Sequence, residues 1–288
     1  MKPSGTSQTP RLASSRVGIL GLGLMGGSLA LALRGRCARL LGADPDPRVV
    51  RLAEEMKFLD QASTDPGEIL PQTDLVVLAA PVGAIIHLIG ELAALHPGRA
   101  VVLDIGSTKT QIAAAMEKLP ERFDPIGGHP MCGKEKASLA HAEAGLFAGA
   151  VFALIPLERT SPRARSLAEQ LVGAIGSLPV WLDALTHDRW VAATSHLPYL
   201  VANALALATP GEAAPLVGPG FRSTTRLAAS FAPMMLDALS TNRENILQAL
   251  GCFRNELERM ESLLRWGDTL TLQEILLSSS VHHQELSQ

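Results

Sequence analysis

The sequence predicts an α/β chain, a doubly wound and mostly parallel sheet followed by an all-helical domain. Three observations predict it. From Arg16 to about Pro179 short β-branched runs alternate with stretches of helical apolar spacing. A Gly-x-Gly-x-x-Gly run joins the first strand to the first helix. After Asp183 strand-like runs vanish and long helical stretches take over.

In order, strands are expected over 16–20, 39–44, 74–81, 100–106, 123–128, 150–156 and 178–183. Helices are expected over 47–57, 83–95 and 110–119, the first with Asp46 as cap and Pro47 in its first turn. The second domain should hold helices over 184–208, roughly 231–264 and 270–279. The run "SHLPYLVANALALA" is apolar nearly all round, which suits a helix covered on several sides, as at a subunit interface. The expected division is a loose polar tail over 1–15, a dinucleotide-binding domain over 16–183 and a helical domain over 184–288.

Composition narrows the partners. The chain has 288 residues, 47% hydrophobic and 18% charged, ample for a large core. A formal net charge of −3 gives no basic footprint for nucleic acid or an anionic membrane, so a small-molecule partner is expected. Cys37, Cys132 and Cys252 lie far apart without metal-ligand spacing, which suits a reducing compartment and predicts neither disulfides nor a metal site. The polar N-terminal residues show no apolar signal segment. The apolar run 75–95 is broken by Pro81, Gly83, His87, Gly90 and Glu91, so it reads as strand, turn and buried helix. A soluble, cytoplasmic protein is the expectation.

The glycine run is Gly21, Gly23 and Gly26, after a strand and at the start of a helix. The first glycine permits the tight turn, the second lets backbone approach a pyrophosphate, and the third lets helix pack on strand. The helix N-terminus, at Leu24 and Met25, offers its N–H groups to the phosphates. This is the fingerprint of a Rossmann-type domain. Asp44, at the end of the second strand, would accept hydrogen bonds from the adenosine ribose and repel a 2′-phosphate, which predicts NAD rather than NADP. Asp44 could also simply cap the turn before Pro45.

Ligands of such sheets bind at the carboxyl ends of the strands. Three segments leave those ends with polar or turn-forming residues: Ala79–Pro81, Asp104–Lys109 and "GGHPMCGKE". Ser107 and His129 should therefore lie close together, His129 on exposed loop backbone. A serine hydroxyl on one imidazole nitrogen would leave the other free to accept a proton. A structural histidine is the alternative.

Five motifs in order, "GLGLMGGSLA", "DIGSTK", "GGHPMCGKE", "SHLPYLVANAL" and "GFRSTTRLA…TNRENIL", span nearly the whole chain. Together they resemble the prephenate/arogenate dehydrogenase family of tyrosine biosynthesis. The resemblance implies an NAD-dependent oxidative decarboxylase of prephenate or arogenate, and a homodimer whose helical domains interlock. It implies His129 as the base, Ser107 as its hydrogen-bonding partner near the substrate hydroxyl, and Arg226 as the cation for a substrate carboxylate. It also implies a substrate-side place for His196, Glu135 and Tyr199, and a cofactor-side place for Pro81. His196 could equally be a hydrogen-bonded core residue, and Glu135 a solvated partner of Lys134.

Three departures surround the substrate's side chain: Tyr199 where many prephenate-preferring members carry histidine, Ser223 in place of a frequent aspartate, and Met235 where an aromatic is common. They leave the chemistry intact and bear on prephenate against arogenate. A nucleotide-sensing protein without turnover would need none of Ser107, His129 and Arg226. A β-hydroxyacid type of dehydrogenase would usually place a lysine in the helical domain, and "SHLPYLVANAL" has none.

Overall fold

The computed structural model describes residues 11–286 apart from 135 and 137. Of the expected tail, residues 1–10 lie outside this range, and Leu12–Ser14 already form a 3-10 turn. Leu12 is buried and its N–H donates to Gln170 Oε1 at 2.9 Å, so order begins before residue 16.

The first half alternates as the sequence requires: β1 (Arg16–Leu20), α1 (Leu24–Leu33), β2 (Arg39–Ala43), α2 (Pro47–Met56), β3 (Gln61–Ser63), α3 (Pro66–Ile69), β4 (Leu75–Leu78), α4 (Val82–Leu95), β5 (Ala100–Asp104) and α5 (Thr110–Met116). Then come β6 (Phe123–Pro130), β7 (Val151–Pro156), α6 (Pro162–Ala174) and β8 (Leu178–Trp181). The sheet order is β3-β2-β1-β4-β5-β6-β7-β8. Every pairing is parallel except β6 with β7, where the chain doubles back. The order reverses beside β1, which pairs with both β2 and β4, and that is where a crevice opens at the strands' carboxyl ends. Two apolar layers, one on each face, bury the sheet.

Two strand expectations need correction. β3 has three residues and no β-branched or aromatic side chain, too little for a strand signal. β6 runs past the expected residue 128 to Pro130, so His129 stands in a strand, opposite Ala153 of β7, and not on loop backbone. Gly127 and Gly128 are strand residues whose lack of a side chain permits close approach. A Cβ at Gly128 would sit 2.8 Å from the Phe152 ring and 2.9 Å from the Asp104 carbonyl.

Beyond β8 the chain is helical: α7 (Ala184–Val191), a π turn (Ala192–His196), α8 (Leu197–Ala208), α9 (Pro219–Thr225), α10 (Ala232–Thr241), α11 (Arg243–Trp266) and α12 (Thr269–Leu286). Pro198 lacks the N–H that a regular helix would use, which accounts for an irregular turn just before it. The run Ala184–Ala208 is long and apolar enough to cross a membrane by length and composition. Within it, however, His187, Asp188 and His196 are buried and hydrogen-bonded to other parts of the protein, which suits an interior or interface helix. The helix expected over 231–264 is interrupted at Asn242, whose side chain turns inward to donate to the Asp188 carbonyl at 2.7 Å.

Residues up to Asn242 form one compact unit and those from Arg243 a second. Helices α7 to α10 thus pack in the same compact unit as the sheet. Asp237 of α10 accepts from Gly83 N–H at the start of α4, and Thr241 bonds Thr108 at 2.8 Å. The second unit is α11 packed on α12, with Gly267 (φ 69°) ending the first helix and the Asp268 carboxylate capping the second.

Gly128→Ala should lower the unfolding free energy by about 1–3 kcal/mol, because backbone at the Asp104 carbonyl cannot yield to the new methyl. Gly173→Ala, on helix α6 with nothing within 4 Å of its Cβ, is the control and should be neutral or slightly stabilising. Equal urea midpoints for both variants would refute the packing argument.

Candidate active site

The glycine loop divides its labour among three residues. Gly21 has φ 96°, and a Cβ there would lie 2.3 Å from the Ala79 carbonyl, where the loop crosses the exit of β4. Its N–H donates to the Ala43 carbonyl at 2.8 Å. A Cβ on Gly26 would lie 1.9 Å from the Gly21 carbonyl, so helix and loop touch there. At Gly23 nothing lies within 4 Å of such a Cβ. The loop therefore keeps open space at its middle glycine, the place a pyrophosphate needs. No side chain caps α1 at Gly23, so Leu24 and Met25 begin a helix whose first N–H groups remain available to an anion.

Asp44 follows β2 directly and is half-buried. One carboxylate oxygen accepts Leu22 N–H at 2.8 Å and the other accepts Asp46 N–H at 3.0 Å. Asp44 thus braces the glycine loop and caps the turn together, and each oxygen keeps lone-pair capacity for a ribose hydroxyl. Pro81 is exposed at the N-terminus of α4, on the same edge. These residues fit a dinucleotide.

The reactive edge is built around His129 and differs from expectation in one respect. His129 Nδ1 lies 2.9 Å from Nε2 of His187, with the rings edge-on at 66°. His187 Nδ1 lies 2.8 Å from Asp188 Oδ1. Ser107 is half-buried in the loop after β5 and is not hydrogen-bonded to His129. The imidazole partner is a histidine from α7, because α7 packs its buried face on the ends of β5 and β6. Burial, with His187, Lys109 and His196 adding repulsion, lowers the His129 pKa well below that of a free imidazole.

Lys109 and Asp104 form a buried ion pair, and Lys109 Nζ also donates to the Gly128 carbonyl at 2.6 Å. Burial pushes the Asp104 carboxyl up and the Lys109 ammonium down, against their mutual attraction. The Asp188 carboxylate receives Lys109 N–H at 2.7 Å and Thr110 N–H at 2.8 Å. Burial would raise its pKa, but the hydrogen bonds from His187, Thr110 and Lys109 outweigh it and hold the group below the usual range.

His196 is buried, with Nδ1 3.3 Å from Asn242 Nδ2, and burial takes its pKa down to about 4. That is the interior position weighed as its alternative. Tyr199 is half-buried on α8, its carbonyl accepting from Asn203. Arg226 is exposed at the start of a 3-10 turn that packs on α8. Glu135 lies outside the described residues. Cys132 packs half-buried on the core with its thiol pushed up to about 11 by burial, which rules it out as a thiolate nucleophile.

His187 and Asp188 are the site residues that sequence reasoning missed. The available signal was an adjacent His–Asp pair on an otherwise apolar helix, a costly placement unless both are bonded.

An open glycine cradle, a carboxylate bracing it at the end of β2 and a neutral imidazole on one sheet edge fit a nicotinamide-dinucleotide-dependent oxidoreductase. Residues 29–178 match the family model "Prephenate dehydrogenase, nucleotide-binding domain", and residues 183–278 match "Prephenate dehydrogenase, dimerization domain". Prephenate dehydrogenase of Bacillus subtilis is 30% identical over 266 residues, 88% of this chain and 71% of that protein. The solved prephenate dehydrogenase from A. aeolicus, in complex with hydroxyphenyl propionate and NAD+, superposes with TM-score 0.86 at 27% identity, covering 98% of this chain and 100% of that one. Synechocystis arogenate dehydrogenase does so at 0.81 and 28%, covering 94% and 99%. The chain belongs to the prephenate dehydrogenase family.

Because His129 and His196 are uncharged in the fold and titrate near pH 6.5 when unfolded, the unfolded chain binds more protons below that pH. Stability should therefore be full above about pH 6.5. It should fall as pH drops toward 4, by about 1.4 kcal/mol per unit for each imidazole. Urea unfolding across this window checks it, and a level free energy would mean that the imidazoles are charged in the fold.

Proposed function

We propose that the protein is an NAD-dependent prephenate dehydrogenase, converting prephenate to 4-hydroxyphenylpyruvate with loss of CO₂. The observation that carries this reading is His129: an imidazole kept neutral by burial, with one nitrogen engaged by His187, on the edge where the cofactor loop opens. Bound NAD supplies the oxidised nicotinamide that accepts a hydride from the ring carbon bearing the hydroxyl. His129 accepts the hydroxyl proton as that carbon becomes a carbonyl, and the ring carboxylate departs as CO₂ while the ring aromatises. Ser107, on the neighbouring strand end, hydrogen-bonds the substrate hydroxyl. Arg226 holds a substrate carboxylate, a task for which a guanidinium, always charged and able to bind bidentately, is suited. Asp44 selects NAD because a second phosphate on the ribose would meet its charge.

Arogenate is the second reading. The similarity to the Synechocystis arogenate dehydrogenase favours it, and Tyr199, Ser223 and Met235 leave the choice between the two substrates open. The working form is a homodimer through the helical segments. The dimerization-domain match supports this, as do Leu185, Leu207, Leu216 and Leu236, each more than half exposed in the single chain. A cytoplasmic location suits three free thiols.

Reduction of NAD⁺ and NADP⁺ with prephenate and with arogenate tests the assignment directly. NAD⁺ with prephenate should give the highest kcat/KM, and silence in all four pairings would leave a nucleotide sensor. His129→Asn should lower kcat by about 100-fold or more with little change in KM; near-normal turnover would remove the base. Arg226→Ala should raise KM in keeping with roughly 2–5 kcal/mol of lost carboxylate binding, and an unchanged KM would pass that role to another cation such as Arg222.

A further inference from the structure

We propose that His187, oriented by Asp188, is a positioning residue that fixes Nε2 of His129 as the nitrogen that takes the substrate proton and lets Asp188 share the charge that arrives. The proposal rests on the reading of His129 as the base.

The direction of the chain of hydrogen bonds follows from the acceptor at its end. Asp188 is ionised, and an ionised carboxylate only accepts. Three donors converge on it: Lys109 N–H and His187 Nδ1 on Oδ1, and Thr110 N–H on Oδ2. His187 therefore carries its proton on Nδ1. Its other nitrogen, Nε2, faces His129 Nδ1 at 2.9 Å and in the proposal is the acceptor of that bond. The nitrogen of His129 that faces it must be the protonated one, which leaves Nε2 of His129 as the acceptor. The His187 ring cannot easily turn to reverse the order, because His187 and Asp188 are each 1% exposed and Asn242 ties the Asp188 backbone.

Proton uptake changes one bond. His129 Nε2 gains the proton from the substrate hydroxyl, and its Nδ1–H becomes a charge-assisted donor to His187. The other groups facing His129 do not supply this help. Lys109 is cationic but matched by Asp104, and His196 is uncharged in the fold. Asp188 is the unmatched negative group, and His187 is the ring through which it reaches the base.

The test uses the full-length enzyme. His187→Leu removes the acceptor, and His187→Gln keeps one, its side-chain oxygen, without a titrating ring. His187→Leu should lower kcat by about 10-fold or more with KM and NAD affinity within about twofold. It should also shift the acid limb of the kcat–pH profile, and His187→Gln should recover most of the loss. In ¹⁵N-imidazole spectra of the wild type, His129 should carry its proton on Nδ1. Should His187→Leu not fold, that tautomer decides alone. Wild-type His129 protonated on Nε2, or His187→Leu with unaltered kcat and pH profile, overturns the proposal. If in the latter case His129→Asn is still inactive, the base assignment stands and only the role of His187 falls. Full activity of His129→Asn would remove both.

Discussion

The active edge depends on one buried contact, the Lys109 ammonium held between the Asp104 carboxylate and the Gly128 carbonyl. It joins the end of β5, the start of α5 and the residue before His129. Its value is registry more than stability. Desolvation of two buried charges consumes most of their attraction, yet removing one partner would strand the other at a cost of about 3–5 kcal/mol. The close approach it needs explains the glycine at position 128, because a side chain there would collide with the Asp104 carbonyl. It also sets the backbone N–H groups of Lys109 and Thr110 toward α7, where they grip Asp188.

From that contact the fold gathers the rest of the site. Asp237 on Gly83, Thr241 on Thr108 and Gln111 on the Thr241 carbonyl bind α10 to the starts of α4 and α5. Asn242 then closes the circle to Asp188 and His196. Helices α7 and α10 are therefore part of the sheet's carboxyl edge. Their packing surrounds the half-buried His129 with protein, and that desolvation lowers its pKa. Fold and the proposed chemistry meet at this step, because burial, without an added group, keeps the His129 imidazole free of its proton.

What was legible in the sequence is what local chemistry dictates. Gly21 and Gly26 each answer a local steric demand, Gly23 leaves open space between them, and Asp46 and Pro47 start α2 as their capping preference requires. The alternation of strand and helix follows from apolar period alone. β3 escaped because three residues carry no period. His129 was read as a loop residue because glycine and proline usually punctuate. Antiparallel pairing with β7, contributed by residues about 25 positions away, draws it into a strand instead. His187 and Asp188 escaped for a similar reason. Their helix was evident, but nothing local tells which strand end a helix face will meet, and their meaning lies in contacts 58 to 79 residues distant.

On the proposed reading of His129 as the base, the buried charges also explain why a lowered pKa and proton uptake are compatible. At rest the edge holds the Lys109–Asp104 pair, neutral as a unit, and one further carboxylate, Asp188, held by two backbone N–H groups. His129 and His196 add no charge. The Asp188 charge is thus sustained by fixed donors. On the proposed reading, when His129 takes a proton the imidazolium faces that carboxylate across one intervening ring. Burial that keeps the base empty before reaction would penalise its filled state if it acted alone. Placing the carboxylate behind a second histidine separates the two demands, since the charge does not touch His129 directly and is close enough to stabilise the cation once the proton arrives.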